Sequence, residues 1–450
     1  MKLIILLFTL ISAASASDFE KVPKSFKFQN SLAVFSDFTN AEYYISYDMR
    51  NKRASVDAII KLVTFENGHL VFDLHNEPNM ISIDGELVTS SVHKSPNNET
   101  SFRILSKEIE AGEHILKMTV PLTQLVEWEK LNVKSAFWMS DLTDRGYIER
   151  YIPTNMIFDR FPMTFYVKFL GHKEKQNVYA NGVQEVLQDG TIKISYREDF
   201  NTTCQYFHTV PESSVLENKF TYNSVDGRVI PVIVYVQKST FNGKKILERT
   251  KTNILRIMRE LETDYGPFLH PDLTVYVAGS GGMEYSGATM TSESALGHEL
   301  FHSYFARGVM PSNGNAGWVD EALASWRDEG YQSISGLAGS SRMAAHGYYQ
   351  RASDRNAYTF GERFISYLDG LVKDQGGLKP FLRSLVDNNS FKPHTTEEFI
   401  ELMNRYYQKN FNSVFDKYIY GKKSKDLFLD KPLHNHIHRQ LSLDELQKLL

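Results

Sequence analysis

HELFHSYFARGVMPSNGNAGWVDE, residues 298–321, carries two histidines four residues apart, a glutamate beside the first, and a second glutamate, Glu321, nineteen residues beyond His302. Residues i and i+4 share one face of a helix, so the imidazoles of His298 and His302 can reach a single ion, with Glu299 near it without being a ligand. A catalytic zinc takes three protein donors and keeps a fourth position open. Glu321 supplies the third donor from the helix-like WVDEALASW, residues 318–326, and Pro311, Asn313-Gly314 and Gly317 mark a turn that lets this helix run back beside the first. A lone HExxH also fits a helix whose histidines are surface or core residues; the third donor makes a site for one zinc per chain the stronger reading. Two neutral imidazoles and one carboxylate leave such a centre with a net charge of about +1, which draws the pKa of a bound water from 15.7 toward roughly 7.

The rest of the chain is consistent with an enzyme of ordinary globular build. Its 450 residues are 42% hydrophobic and 13% aromatic without low-complexity tracts, enough for two or three domains. The net charge of -4 comes from 50 basic and 54 acidic residues mixed along the sequence, so no basic field exists to hold a phosphate backbone and nucleic acid is not an expected partner. Lys2, the apolar run Leu3 to Ile11 and Ala14-Ser15-Ala16 make residues 1–16 a signal peptide, with a mature chain beginning near Ser17 that is secreted or periplasmic. No later stretch is apolar and long enough for a membrane span. Cys204 is the only cysteine, which precludes an internal disulfide and suits a small buried hydrophobe.

Two patterns divide the mature chain. From residue 17 to 238, short β-prone runs such as Leu70-Val71-Phe72, Ile81-Ser82-Ile83 and Ile192-Lys193-Ile194 alternate with turn candidates at Asn67-Gly68, Asp84-Gly85, Asn181-Gly182 and Asp189-Gly190. This half reads as a β-sandwich-like, all-β domain. After Val232 to Val236 the pattern turns helical: Leu247, Ile254, Ile257, Met258 and Leu261 fall near one stripe, followed by a strand from Leu273 to Ala278. The boundary is expected near Lys238, with the catalytic domain over 239–450.

HELFH followed by eighteen residues and the glutamate of WVDEALASW resembles the gluzincin zinc metallopeptidases of the alanyl aminopeptidase type, which include leukotriene hydrolase. Gly281-Gly282-Met283-Glu284-Tyr285 is similar to that family's GxMEN signature, whose glutamate grips the free amine of the substrate. Tyr358-Thr359-Phe360-Gly361 and the apolar stripe that follows resemble its tyrosine-bearing segment, and Arg150 to Asn155 with Phe161 to Phe165 look like the end of its β domain. The resemblance implies an α+β multidomain protein with a thermolysin-like, mainly α-helical catalytic domain after the β-sandwich-like one. It also implies an aminopeptidase acting on peptides with a free amino terminus. Zinc would be held by His298, His302 and Glu321, Glu299 would act as general base, Tyr358 would bond the oxyanion, and Gly281, Gly282, Met283 and Glu284 would bind substrate. Three departures stand out: Tyr285 replaces the signature's asparagine, only thirteen residues separate Glu284 from His298, fewer than in the longer members, and little chain follows the tyrosine-bearing helices. The large C-terminal helical domain of many members is therefore expected to be missing and the cleft to be more open.

The residues give some of this independently. The glycines at 279, 281 and 282 allow the backbone beside Glu284 close to a ligand, and a carboxylate near the metal can pair with an ammonium; a surface loop glutamate is the plainer alternative. Tyr358 is one of 24 tyrosines, with Tyr349 as the substitute for its role. An endopeptidase with the same metal site, a non-peptidase hydrolase and a metal-containing binding module remain as rivals, the last with no use for Glu299. His434, His436 and His438 read as a solvated tail, and Asn98, Asn201 and Asn388 begin N-x-[ST] sequons.

Overall fold

Alternating runs in the first half pair into three sheets, because strands such as Ser36–Asp48 and Arg53–Thr64 have one apolar face to bury. The computed structural model describes residues 21–140, 146–313, 315–350, 352–422 and 443–449; residues 1–16, expected to be a signal peptide, and His434, His436 and His438 lie outside them. The largest sheet has eight strands, with Ser36–Asp48 and Arg53–Thr64 at its centre. Along the second of these, Val56, Ala58, Ile60 and Leu62 point into the core while Asp57 and Lys61 face water. A five-stranded and a four-stranded sheet complete this all-β unit.

The four turn candidates divide by what glycine does there. Asp84-Gly85 closes the hairpin that pairs Ile83 with Glu86, and both residues have positive φ, 51° and 83°. Asp189-Gly190 lies in the hairpin joining Val183–Val186 to Ile192–Ser195. Asn67-Gly68 and Asn181-Gly182 instead mark places where the chain leaves one sheet for another. At these two, glycine serves close packing: a Cβ on Gly68 would lie 2.5 Å from the Leu32 carbonyl oxygen, and one on Gly182 would lie 2.7 Å from Ile194 Cγ2.

A fourth sheet spans the expected boundary near Lys238. A five-stranded sheet runs in the order Val215–Asn223, Val229–Gln237, Leu273–Val277, Ala288–Thr291, Gly282–Tyr285. Because Val229–Gln237 pairs in parallel with Leu273–Val277, the change from strand to helix near Lys238 falls between two strands of one sheet. Composition registers a change of element type, which here falls within a βαβ connection. The connecting helix, Gly243–Tyr265, buries Leu247, Ile254, Ile257, Met258 and Leu261, the anticipated stripe, against the sheet. Helices Leu296–Phe301, Trp318–Asp328, Glu362–Leu371, Lys379–Asn389 and Thr396–Tyr407 follow. Among the described residues no helix is long and apolar enough to cross a membrane.

Tyr285, the departure from the signature, explains itself in this frame. It is fully buried, its hydroxyl accepts a hydrogen bond from the Met139 amide at 3.2 Å, and its ring meets Tyr206 edge-on at 5.0 Å. The position that follows Glu284 is therefore used to fasten the edge strand to the β unit. Asn181 adds to the seam by donating to the carbonyls of Cys204 and Ser286.

Ile254 carries the helix to the sheet with no exposed surface. Ile254→Ala is expected to cost about 2–5 kcal/mol of unfolding free energy, read as a lower urea midpoint at unchanged slope, whereas Phe241→Ala, 87% exposed, should stay within about 0.5 kcal/mol. Equal midpoints for the two variants would contradict this packing.

Candidate metal centre

HELFH forms the end of a short helix, Leu296–Phe301, with His302 still helical at its C-terminus. The imidazoles stand 4.7 Å apart, nearly perpendicular. Glu321 comes from the first turn of Trp318–Asp328, and its Oε2 lies 3.0 Å from His298 Nε2 and 3.4 Å from His302 Nε2. One donor atom from each of the three residues falls within 4.8 Å of the others, and all three side chains are buried. The outer ring nitrogens are fixed as well: His298 Nδ1 meets Asp328 Oδ2 at 2.8 Å, and His302 Nδ1 meets the Phe305 carbonyl at 3.0 Å. Such partners leave Nε2 of both rings facing inward as donors. Two imidazoles and a carboxylate with ordered outer partners fit zinc.

Glu299 stands where the HExxH spacing puts it. It is buried, and among the described residues its Oε2 has no hydrogen-bond partner, which leaves that atom free for a solvent molecule or a reacting group. A Cβ on Gly282 would meet Glu299 Oε1 at 1.8 Å, so the glycine admits this carboxylate against the edge strand. Tyr358 sits on a π-helical turn, Ala357–Gly361, that widens the start of Glu362–Leu371. Its hydroxyl donates to Glu321 Oε1 at 2.6 Å, and its ring stacks parallel to His298 at 6.3 Å. Tyr349 is elsewhere: it packs among Phe26, Phe35 and Phe102 of the β unit, so it is no substitute for Tyr358.

Glu284 lies on the edge strand Gly282–Tyr285, 3% exposed, with Oε1 held by Arg307 Nη2 at 2.8 Å. Gly281, with φ of 68°, turns the chain into that strand, and Met283 is buried beneath it. Glu284, Arg307, Asp320, Thr203, Asn313 and Ser353 line a recess of about 340 Å³ that includes its open mouth. Arg307 and Asp328 were not legible as site residues. Asp328 stands two turns after Glu321 on the same helix, a spacing that could have exposed it; Arg307 offers no such signal.

Charge is crowded here. Burial pushes the Glu299 carboxyl up to about 8, and it does the same to Asp320, to about 8, with Glu321 adding to the shift. Burial also opposes ionisation of Glu321, yet His302 and His298 outweigh it and hold that carboxyl far below the usual range. Burial works against the charged form of His298, but Asp328 and Glu321 raise it to about 9. Of the sequons, Asn98 and Asn388 are exposed, whereas Asn201 is buried with its Oδ1 bonded to Thr203 and is closed to glycosylation in the folded state.

The chain has the fold of the M1 zinc metallopeptidases. It superposes on the M1 zinc metallopeptidase of Deinococcus radiodurans with a TM-score of 0.62 at 15% identity, covering 90% of this chain and 98% of that one. A variant of the Deinococcus radiodurans protein bound to a Tyr-Ser-Ala substrate gives 0.59 at 16% identity, covering 82% and 91%. Native leukotriene A4 hydrolase of Saccharomyces cerevisiae gives 0.62 at 13% identity, covering 89% and 69%. No protein-family model matches the sequence, and no curated protein matches it.

Asp328→Ala removes the partner of His298 Nδ1. It is expected to weaken zinc affinity about 10- to 100-fold, measured by competition with a chromophoric chelator. An unchanged affinity would show that Asp328 does not order the ligand.

Proposed function

We propose that the protein is a zinc aminopeptidase, hydrolysing the first peptide bond of peptides with a free amino terminus. The observation that carries this reading is the convergence of His298, His302 and Glu321 with the unpartnered Oε2 of Glu299 beside them. A zinc ion held by those three residues would supply Lewis acidity, activating water and polarising the scissile carbonyl. Glu299 accepts a proton from the water at its buried carboxylate and returns it to the leaving amine. The Tyr358 hydroxyl turns from Glu321 toward the oxyanion, and Glu284 takes the substrate ammonium, setting the first peptide bond over the metal position. The signal sequence supports action outside the cytoplasm, in a secreted or periplasmic setting.

One observation favours a second reading. Glu284 already has a cation, Arg307, and an endopeptidase would need no amine receptor.

Glu299→Gln keeps the shape of the side chain and removes the base. It should retain zinc while kcat falls by at least about 100-fold; near wild-type turnover would remove Glu299 from the mechanism. Glu284→Ala should cost about 10- to 150-fold in kcat/KM on free peptides, the range of one charge-assisted contact, and acetylating the substrate amine should cost wild type a similar factor. Equal cleavage of free and acetylated peptides would favour the endopeptidase.

A further inference from the structure

Arg307 is 4% exposed and has no part in the chemistry just derived. The backbone is bent to place it. Ala306 has φ of 140°, a conformation that L side chains rarely adopt, and a Cβ on Gly308 would lie 2.3 Å from Leu269 Cδ1 and 2.5 Å from the Tyr304 carbonyl oxygen. The Arg307 amide donates back to the His302 carbonyl at 2.9 Å, so the loop leaves the ligand helix and folds at once toward the edge strand. There the guanidinium grips Glu284 twice, through Nη2 to Oε1 at 2.8 Å and through Nε to the main-chain carbonyl at 3.3 Å. Nη1 donates to Thr203 Oγ1, and Thr203 Oγ1 is in turn tied to Asn201 Oδ1 at 2.7 Å.

We infer that Arg307 is a positioning residue for substrate recognition: it clamps the side chain and backbone of Glu284 so that Oε2 alone is presented to the substrate amine. The inference rests on the reading of Glu284 as the amine receptor. Oε2 has no hydrogen bond among the described residues, and a planar guanidinium fixes direction where an ammonium would not. With its charge offset by Arg307, Glu284 recognises the amine by a short directed contact more than by long-range attraction.

The test is the ratio of kcat/KM for a peptide and its N-acetylated form, measured on R307M, R307K, T203V, E284A and the double variant E284A/R307M, with zinc content and Tm for each. The ratio should fall about tenfold or more in R307M, fall part of the way in R307K and T203V, and fall little further in the double variant than in E284A. Zinc content should hold. A wild-type ratio in R307K and T203V, or penalties that multiply in the double variant, would overturn the inference, and these milder variants decide it if R307M does not fold. If E284A leaves the ratio unchanged, the amine-receptor reading fails and this inference with it. If E284A collapses the ratio and the Arg307 and Thr203 variants do not, only the role of Arg307 falls.

Discussion

Glu321 is an ionised carboxylate with almost no exposure to water, and it is tolerable there because His298 and His302 face it. An isolated buried charge is among the costliest features a fold can contain. This site compounds the problem, since Glu284, Glu299 and Asp320 are buried nearby against one guanidinium and two imidazoles. In the protein alone the strain appears as displaced proton affinities: Glu299 and Asp320 hold protons up to about 8, and His298 stays charged to about 9. A divalent cation relieves the same crowding, and its binding would release protons from the histidines that become its ligands.

The scaffold follows from that demand. Converging donors must be held against relaxation: the helix that carries His298 packs on the strands Gly282–Tyr285 and Ala288–Thr291, and the helix that carries Glu321 packs against that helix in turn. The ligand helix is short, and it is steadied by Trp318–Asp328 beside it and by the edge strand in front. Close approaches are made where a side chain would obstruct: Gly282 admits Glu299, and Gly361, whose Cβ would lie 2.8 Å from Ala322 Cβ, lets the π-helical turn bring Tyr358 over Glu321. Tyr285 and Asn181 extend the support to the β unit, which makes that unit part of the site's wall.

Much of this was legible because chemistry fixes spacing. The i, i+4 histidines and the distant glutamate could be assigned without any knowledge of the fold, as could the apolar stripe from Leu247 to Leu261. That one sheet takes strands from both sides of Lys238 was not, since composition changes with element type and says nothing of which strands pair. Asn67-Gly68 and Asn181-Gly182 looked like hairpin turns because the dipeptide reports a need for glycine without saying whether the need is positive φ or close packing. Arg307 lay beyond reach for another reason: its role depends on a strained backbone at Ala306 that no local pattern announces.

The likeness to the M1 zinc metallopeptidase of Deinococcus radiodurans and to yeast leukotriene A4 hydrolase, at 13–16% identity, establishes a shared fold, and the metal centre is the point at which fold and chemistry must agree. The most direct measurement is a titration of metal-stripped protein with zinc, followed by calorimetry and elemental analysis, for wild type and Glu321→Ala. The account predicts one tight site per chain, with proton release on binding, and loss of that site in the variant. No tight binding by wild type, or the same affinity in Glu321→Ala, would contradict it.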